Sequence, residues 1–288
     1  MAGSLFSNFT WYELWGPIYI VICLGLSYWY FKNVVHYYRM HMTKSQINYF
    51  ISAIILLYIV KGSPIATIAD HYLFSAHMLQ LSVIFFAIIP LFILSLPTNF
   101  IRKYFWHHRT KFLIGVFGRP WLTAILFNGL VTIYFIPPVF NTIKGNVILM
   151  FISQAILIIN AFLMWWVIIA PLPEISRFPY LTRAAYIFFA SLLLMPIGFF
   201  HLIIQKDHYP FYVAVQGDLI PVITAIYDQQ IAGGILKVMQ LSSYTIALLF
   251  IVSKWGRQSD KQEGQVVEEN IRYVRGVVIH LDKDQDQK

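Results

Sequence analysis

Four residues at the start of a strongly apolar stretch carry side chains suited to a metal site. They are Asp70, His71, His77 and Met78, within DHYLFSAHML. Imidazole and thioether together suit Cu(I), which accepts methionine and low coordination numbers. Zinc fits this set less well, because its sites favour four ligands rich in thiolate, imidazole or carboxylate. Haem iron could also take two axial histidines, so copper and haem are both open on residue type alone.

The composition of the 288-residue chain is that of a polytopic membrane protein. Hydrophobic residues make up 58% of it, and its mean hydropathy is +0.64. Charged residues make up only 12%, about half the fraction in a soluble domain. The net charge of +8 does not predict nucleic-acid binding, because no basic stripe interleaved with aromatic residues is present. The single cysteine, Cys23, excludes an intrachain disulfide and a CxxC site.

Seven segments are apolar enough to cross a bilayer as helices, which takes about 20 residues each. We therefore predict an all-α fold with seven transmembrane helices. The membrane domain covers 1–254, and 255–288 forms a charged, solvated and partly disordered tail. The sequence Lys61-Gly62-Ser63-Pro64 interrupts the end of the second segment. The predicted spans are 14–34, 46–66, 71–96, 120–140, 146–170, 179–204 and 229–253.

The loops between these spans alternate in charge. One side carries thirteen lysines and arginines, whereas the other carries only Lys61, Lys144 and Lys206. The positive-inside rule then places the N-terminus outside the cell and the C-terminus in the cytoplasm. An odd number of spans gives the same result. The first 13 residues hold no lysine or arginine, so we expect no cleaved signal peptide.

This orientation brings the unusual polar residues to the outer end of the bundle, where intramembrane polar groups commonly mark function. Within the third span, the spacing i, i+7 places Asp70 above His77 and His71 above Met78, on adjoining stripes. His201 lies about one turn below the outer end of the sixth span. The predicted metal ligands are His77, Met78, His201 and His71, and the predicted rim of the site is Asp70, Asp228, Gln229 and Lys237.

Each of these residues also has an ordinary structural interpretation. A buried membrane histidine commonly bonds a neighbouring helix, an interfacial one is solvated, and methionine fills gaps in cores. No Ser/His/Asp set, glycine-rich phosphate loop or HExxH motif occurs, so we do not expect an enzyme. Lys237 in the last span could carry a retinal Schiff base, but the third span has no carboxylate counter-ion below Asp70.

Three segments resemble the CtaG family of cytochrome c oxidase assembly factors, best known from Gram-positive bacteria. They are GSPIATIADHYLFSAHMLQLSVIFFAIIPLFILSLP at 62–97, FNGLVTIYFIPPVF at 127–140 and YDQQIAGGILKVMQ at 227–240. The resemblance covers most of the chain. It implies a seven-span protein of the bacterial cell membrane that helps to make a haem–copper terminal oxidase by supplying or inserting copper. It also implies His77 and Met78 as the metal-proximal pair, with Asp228 and Gln229 at the opposite outer rim.

The chain departs from the family pattern at two positions. Leu81 and Phe135 are apolar where many relatives have further histidines near these positions. Three functions therefore stay open: an assembly factor that handles Cu(I), a scaffold for an oxidase subunit that handles no metal, and a haem-binding membrane protein. The expected partners are subunits of a haem–copper oxidase and membrane lipid.

Overall fold

The computed structural model describes residues 9–105, 119–172 and 179–262, together with three short strands in the C-terminal tail. Within this part of the chain, six helices are long and apolar enough to cross a membrane, or seven if one bent pair counts as a single span. The predicted helical membrane architecture is confirmed to that extent. Arg109, Lys111 and Arg177, which contributed to the predicted orientation, lie outside the described residues, and the orientation stays a prediction.

The helices follow the predicted spans, with breaks at glycine and proline. We use "predicted outer end" for the end of the bundle that holds the connections at 63–73, 145–146 and 203–224. The helices are α1 (Trp11–Trp15), α2 (Pro17–Tyr30, extended by Phe31–Val35, His36–Tyr38 and Arg39–His41), α3 (Lys44–Gly62), α4 (Pro64–His71), α5 (Phe74–Ser95), α6 (Thr98–Phe105), α7 (Pro120–Phe135), α8 (Pro137–Lys144), α9 (Val147–Ile169), α10 (Tyr180–Leu193), α11 (Met195–Leu202), α12 (Pro210–Val213) and α13 (Ala225–Gln262).

The third span begins later than the sequence indicates. Asp70 lies on the separate short helix α4, and the extended residue Leu73 precedes Phe74, where α5 starts. The Asp228 carboxylate accepts hydrogen bonds from the backbone N–H groups of Phe74 (2.7 Å) and Ser75 (3.1 Å). An acceptor at this position satisfies N–H groups that have no partner within the helix. The predicted i, i+7 stripes, which required one continuous helix from 70 to 78, are therefore wrong.

Proline sets the other breaks. The predicted span 120–140 consists of α7 and α8, which meet at an angle of 76°. Ile136 between them has φ −63° and ψ 126°, the extended conformation that a following proline imposes. The predicted span 179–204 is likewise divided into α10 and α11 at Leu194, two residues before Pro196. These bends place short helices at the predicted outer end, next to α4.

A π-helical turn at Ile84–Ile88 interrupts α5 just before Pro90. Pro90 has no N–H for the carbonyl of Phe86, four residues earlier. The Ser243 hydroxyl donates to that carbonyl instead, and Trp165 Nε1 donates to the Phe85 carbonyl at 2.8 Å. Side chains from α9 and α13 thus replace the backbone bonds that the turn gives up, as a membrane interior requires.

The helix α5 lies at the centre of the bundle. Most of its apolar side chains are buried, whereas those of the segment Trp11–Tyr38 and of α9 are mostly exposed. A membrane protein exposes apolar side chains to lipid, so an exposed face on the two peripheral segments is expected. Away from the predicted outer end, Tyr30 stacks on Phe50 at 3.7 Å and donates to the Ser95 carbonyl, which joins α2 and α3 to α5.

The tail contains structure that the all-α prediction does not include. Three short strands, β1 (Val266–Glu268), β2 (Ile271–Val274) and β3 (Val277–His280), pair antiparallel in that order. Valine and isoleucine are enriched in these segments, and such β-branched residues favour strands. The charged residues between and after them drew the sequence prediction towards disorder, but much of the tail lies outside the described residues.

Candidate functional site

His77 lies on α5 in the predicted outer half of the bundle, and its side chain is fully buried. Its Nε2 atom is 3.1 Å from the Tyr134 hydroxyl, and the two rings stack at an interplanar angle of 16°. The ring also meets Phe140 edge-on. Its Nδ1 atom is buried and has no hydrogen-bond partner in the described part of the chain. One nitrogen of His77 is therefore available to a ligand.

A lysine–glutamine network lies next to His77. Lys61, at the end of α3, donates to Gln80 Oε1 at 3.0 Å and to Gln154 Oε1 at 3.2 Å. Gln80 is one helical turn from His77 and donates its Nε2 to the Val60 carbonyl at 2.6 Å. Both ends of the Gln80 amide are thus bonded. Gln154, on α9, lies next to the Tyr134 hydroxyl, but its buried Nε2 atom makes no hydrogen bond of good geometry within the described part of the chain.

A second lysine approaches from α8. Lys144 Nζ is 3.7 Å from Asp70 Oδ1 and lies over the rings of Phe211 and Tyr212. Asp70 Oδ1 is buried and accepts no hydrogen bond from the part of the chain that the structure describes. Lys61 and Lys144 both lie close enough to His77 to act electrostatically on its ring. We call this set the His77 cluster; its members are Lys61, Asp70, His77, Gln80, Tyr134, Lys144 and Gln154.

His201 is also fully buried, but both of its ring nitrogens have protein partners. Nδ1 is 2.8 Å from the Ile197 carbonyl and therefore carries a proton, because a carbonyl only accepts. Nε2 is 2.7 Å from the oxygen of the Tyr209 hydroxyl, and that hydroxyl donates its single proton to the Phe135 carbonyl at 2.6 Å. Burial raises the pKa of Tyr209, so this hydroxyl keeps its proton. The ring of Phe74 stacks on that of Tyr209, with 4.1 Å between the ring centroids.

Met78 and His71 lie apart from these groups. Met78 is fully buried within the central hydrophobic core, where a thioether is an ordinary packing group. His71 is exposed at the end of α4, and its ring lies 5.2 Å from that of Phe9. The four predicted metal ligands therefore have different surroundings. His77 is buried with one bonded nitrogen, and both nitrogens of His201 have partners. Met78 belongs to the core, and His71 lies at the surface.

The predicted rim residues have different surroundings. Asp228 provides the acceptor at the start of α5 described above, and it belongs to the first turn of α13. Gln229 is buried, and neither end of its amide is bonded to another described residue. Lys237 lies deeper, where it donates to Gln240 Oε1 at 2.8 Å and packs its methylene groups against Gly198. Of the four predicted rim residues, only Asp70 joins the His77 cluster.

The donor set does not fit the predicted copper site. Within the described residues, no group of three or more histidine, cysteine, aspartate or glutamate side chains could hold a metal ion. His201 has no free nitrogen, and Met78 belongs to the core. Two lysines next to His77 also oppose a cation, since like charges repel strongly where the dielectric constant is low. The copper-binding role of these residues stays a prediction that the geometry does not favour.

The sequence reasoning missed most members of the His77 cluster. Lys61 and Lys144 were counted only among the positive charges of the predicted outer loops. Gln80, Tyr134 and Gln154 were not considered. Gln80 carried a usable signal, because it follows His77 by three residues and therefore shares its helix face. Tyr134 and Gln154 carried none, since their position next to His77 depends on how α7 and α9 pack against α5.

Comparison with known proteins gives one match. The family model described as cytochrome c oxidase caa3 assembly factor matches residues 28–258. This range includes every member of the His77 cluster as well as His201 and Asp228. No curated protein and no solved structure matches the chain.

Proposed function

Because the chain belongs to the family of cytochrome c oxidase caa3 assembly factors, we propose that it assists the assembly of a haem–copper oxidase by packing against an oxidase subunit in the bacterial cell membrane. The observation that carries this proposal is the family match over 28–258. The chain acts here as a scaffold, without a catalytic step of its own. Its partners are oxidase subunits and the surrounding lipid.

A lateral apolar groove supports the scaffold function. It has a volume of about 450 Å³ and lies next to the π-helical turn of α5. The walls come from α3, α5, α9 and α13. Small residues in the wall allow the backbone of another helix to approach closely, and such residues are enriched where membrane helices associate. They are Ala87, Ser242, Ser243 and Ala247. A transmembrane helix of an oxidase subunit is the occupant that the proposal assigns to this groove.

Copper delivery is the second candidate, and one observation favours it. In the tautomer in which Nε2 of His77 donates to Tyr134, the unpartnered Nδ1 atom has a free lone pair. A single imidazole next to two lysines provides too few ligands and the wrong local charge for a stable Cu(I) site. A haem held axially by both His77 and His201 would need a free nitrogen on each ring, and His201 has none. The scaffold proposal agrees with all of these contacts.

Co-isolation tests the proposal directly. We expect the affinity-tagged chain to co-isolate the large oxidase subunit from gently solubilised membranes. Ala247→Leu combined with Ser242→Leu fills the groove and should reduce the recovered subunit about tenfold, which corresponds to about 1.4 kcal/mol of lost association free energy. Gly25→Leu is the matched control, because a Cβ atom at Gly25 meets no other atom within 4 Å.

A metal-binding assay separates the two candidates. The scaffold proposal expects the purified wild-type chain to bind no stoichiometric Cu(I) in detergent under anaerobic conditions, while still isolating the oxidase subunit. Stoichiometric Cu(I) that His77→Ala abolishes, combined with no co-isolated subunit, would reject the scaffold and support copper delivery. A Soret band in the absorption spectrum of the same sample would instead support haem binding.

A further inference from the structure

The His77 cluster carries a positive charge that the described residues do not balance. Lys144 has Asp70 within 3.7 Å, whereas Lys61 has only the neutral amide oxygens of Gln80 and Gln154. Among the described residues no carboxylate lies within ion-pair distance of Lys61. A cation held in a membrane protein without a counter-charge is costly, and such groups usually pair with an anion.

The unpartnered atoms next to Lys61 are suited to donate. The Gln154 amide directs its oxygen to Lys61, so its buried Nε2 atom keeps free N–H groups. When Tyr134 donates its hydroxyl proton to Nε2 of His77, the unpartnered Nδ1 atom also carries a proton. Lys61 itself has three protons and uses two of them. Three side chains therefore have donors without acceptors.

The balance of charge selects a monoanion. Lys61 and Lys144 together with Asp70 leave one net positive charge in the cluster, with neutral His77 adding none. A phosphate dianion would exceed this charge. A carboxylate matches it, and its two oxygens can accept from donors on different helices at once. The same lysines disfavour a metal cation at His77, as described above.

We propose that the His77 cluster binds a carboxylate, held by Lys61, His77 and Gln154. The carboxylate belongs either to an acidic side chain of the oxidase subunit or to a small free acid. The first source rests on the proposed scaffold function, whereas the second does not. Binding removes the uncompensated charge of Lys61 and satisfies two buried nitrogen atoms, His77 Nδ1 and Gln154 Nε2, that have no hydrogen-bond partner among the described residues.

Titration with acetate tests the site in the purified full-length chain in lipid nanodiscs. The probe is sodium acetate, exchanged for sodium chloride at constant ionic strength, and the readout is the ¹⁵N resonances of the His77 imidazole. We expect a saturable shift of the Nδ1 resonance, with that nitrogen protonated. Lys61→Met should weaken acetate binding about tenfold or more, because a charged hydrogen bond is lost.

Two further variants make this titration specific. Lys61→Arg keeps the charge and should bind acetate within about threefold of the wild type, a difference well under 1.4 kcal/mol. Lys206→Gln removes an exposed lysine of the same predicted outer end and should change nothing. The inference is wrong if chloride and acetate act alike, or if Lys61→Met binds acetate as the wild type does. An unchanged thermal unfolding midpoint of Lys61→Met excludes misfolding as the cause of its loss of acetate binding.

Carbodiimide coupling identifies the source of the carboxylate. Dicyclohexylcarbodiimide activates a carboxylate, and a neighbouring lysine amine then displaces the urea and forms an amide. In the co-isolated complex we expect an amide cross-link between Lys61 and an acidic residue of the oxidase subunit. Mass spectrometry should detect this cross-link in the wild type and not in Lys61→Arg. The pair Lys144–Asp70 provides an internal positive control. Acetate binding without this product indicates a free acid. If acetate does not bind and no coupled product forms, the inference is overturned, whatever the result of the co-isolation test.

Discussion

His77 and His201 look alike in the sequence, but their surroundings differ. Both are fully buried, and each has its Nε2 atom next to a tyrosine hydroxyl, at 3.1 Å for Tyr134 and 2.7 Å for Tyr209. The difference lies in the second nitrogen. In His201 it is bonded to the Ile197 carbonyl on its own helix, whereas in His77 it has no partner among the described residues. The comparison indicates that His201 stabilises the fold and that His77 is available for binding.

Two helix backbones approach closely on the His201 side, and disruption of this contact should have the largest effect. A Cβ atom at Gly233 would lie 2.8 Å from His201 Cβ and 2.9 Å from the Leu202 backbone nitrogen. Backbone atoms cannot move aside easily, so Gly233→Ala should destabilise the chain by about 3 kcal/mol. Gly234→Ala is the matched control, since its nearest neighbour would be Leu202 Cδ2 at 3.9 Å. Thermal unfolding in detergent measures both, and equal midpoints would contradict the packing of α11 on α13.

The Tyr209 hydroxyl should have the next largest effect. Tyr209→Phe removes the hydroxyl that contacts His201 Nε2 and donates to the Phe135 carbonyl. We expect a loss of about 2 kcal/mol, because buried polar groups then lack a partner. Exposed Tyr227→Phe should leave the unfolding midpoint unchanged. A neutral Tyr209→Phe variant would show that His201 does not depend on this bond, and the contrast with His77 would lose its basis.

Removing the corresponding hydroxyl on the other side should cost less. Tyr134→Phe takes away one bond to His77, and this bond is longer than the one at His201. We expect a loss of about 1 kcal/mol, the usual net value of a single hydrogen bond. The same variant should lower acetate affinity, since it removes the donor that keeps His77 Nδ1 protonated. A destabilisation as large as that of Tyr209→Phe would place both histidines in the same structural role.

Replacing the two histidines themselves should give the most direct contrast. Without added carboxylate, His77→Leu should change the unfolding free energy by less than about 1 kcal/mol, because it also removes a buried nitrogen that has no partner. His201→Leu should cost about 2 kcal/mol, since it breaks two bonds. Chemical denaturation of both variants at one pH gives the difference. A reversed order would assign the structural role to His77.

Much of the fold could be predicted from the sequence, because hydropathy and proline act over short stretches of chain. The seven predicted segments correspond to the six long helices and the one bent pair that could cross a membrane. The interruption noted at Lys61-Gly62-Ser63-Pro64 coincides with the end of α3 at Gly62. The start of the third span was misplaced, since Asp228 sets it from 154 residues away. The strands of the tail were missed because the charged residues around them favour disorder, and the short valine pairs that favour strands received less weight.

The candidate site was predicted less well for the same physical reason. The sequence by itself determined a helical membrane protein, its family, and the burial of His77 and His201 within apolar segments. Only the tertiary structure decided which partners these rings have. Tyr134 is separated from His77 by 57 residues, and Lys61 from Gln154 by 93. A hydrogen bond depends on the relative position of two helices, whereas membrane insertion depends on the composition of one. The hydrogen-bond partners are therefore decided by the packing of the whole bundle, and membrane insertion by each segment alone.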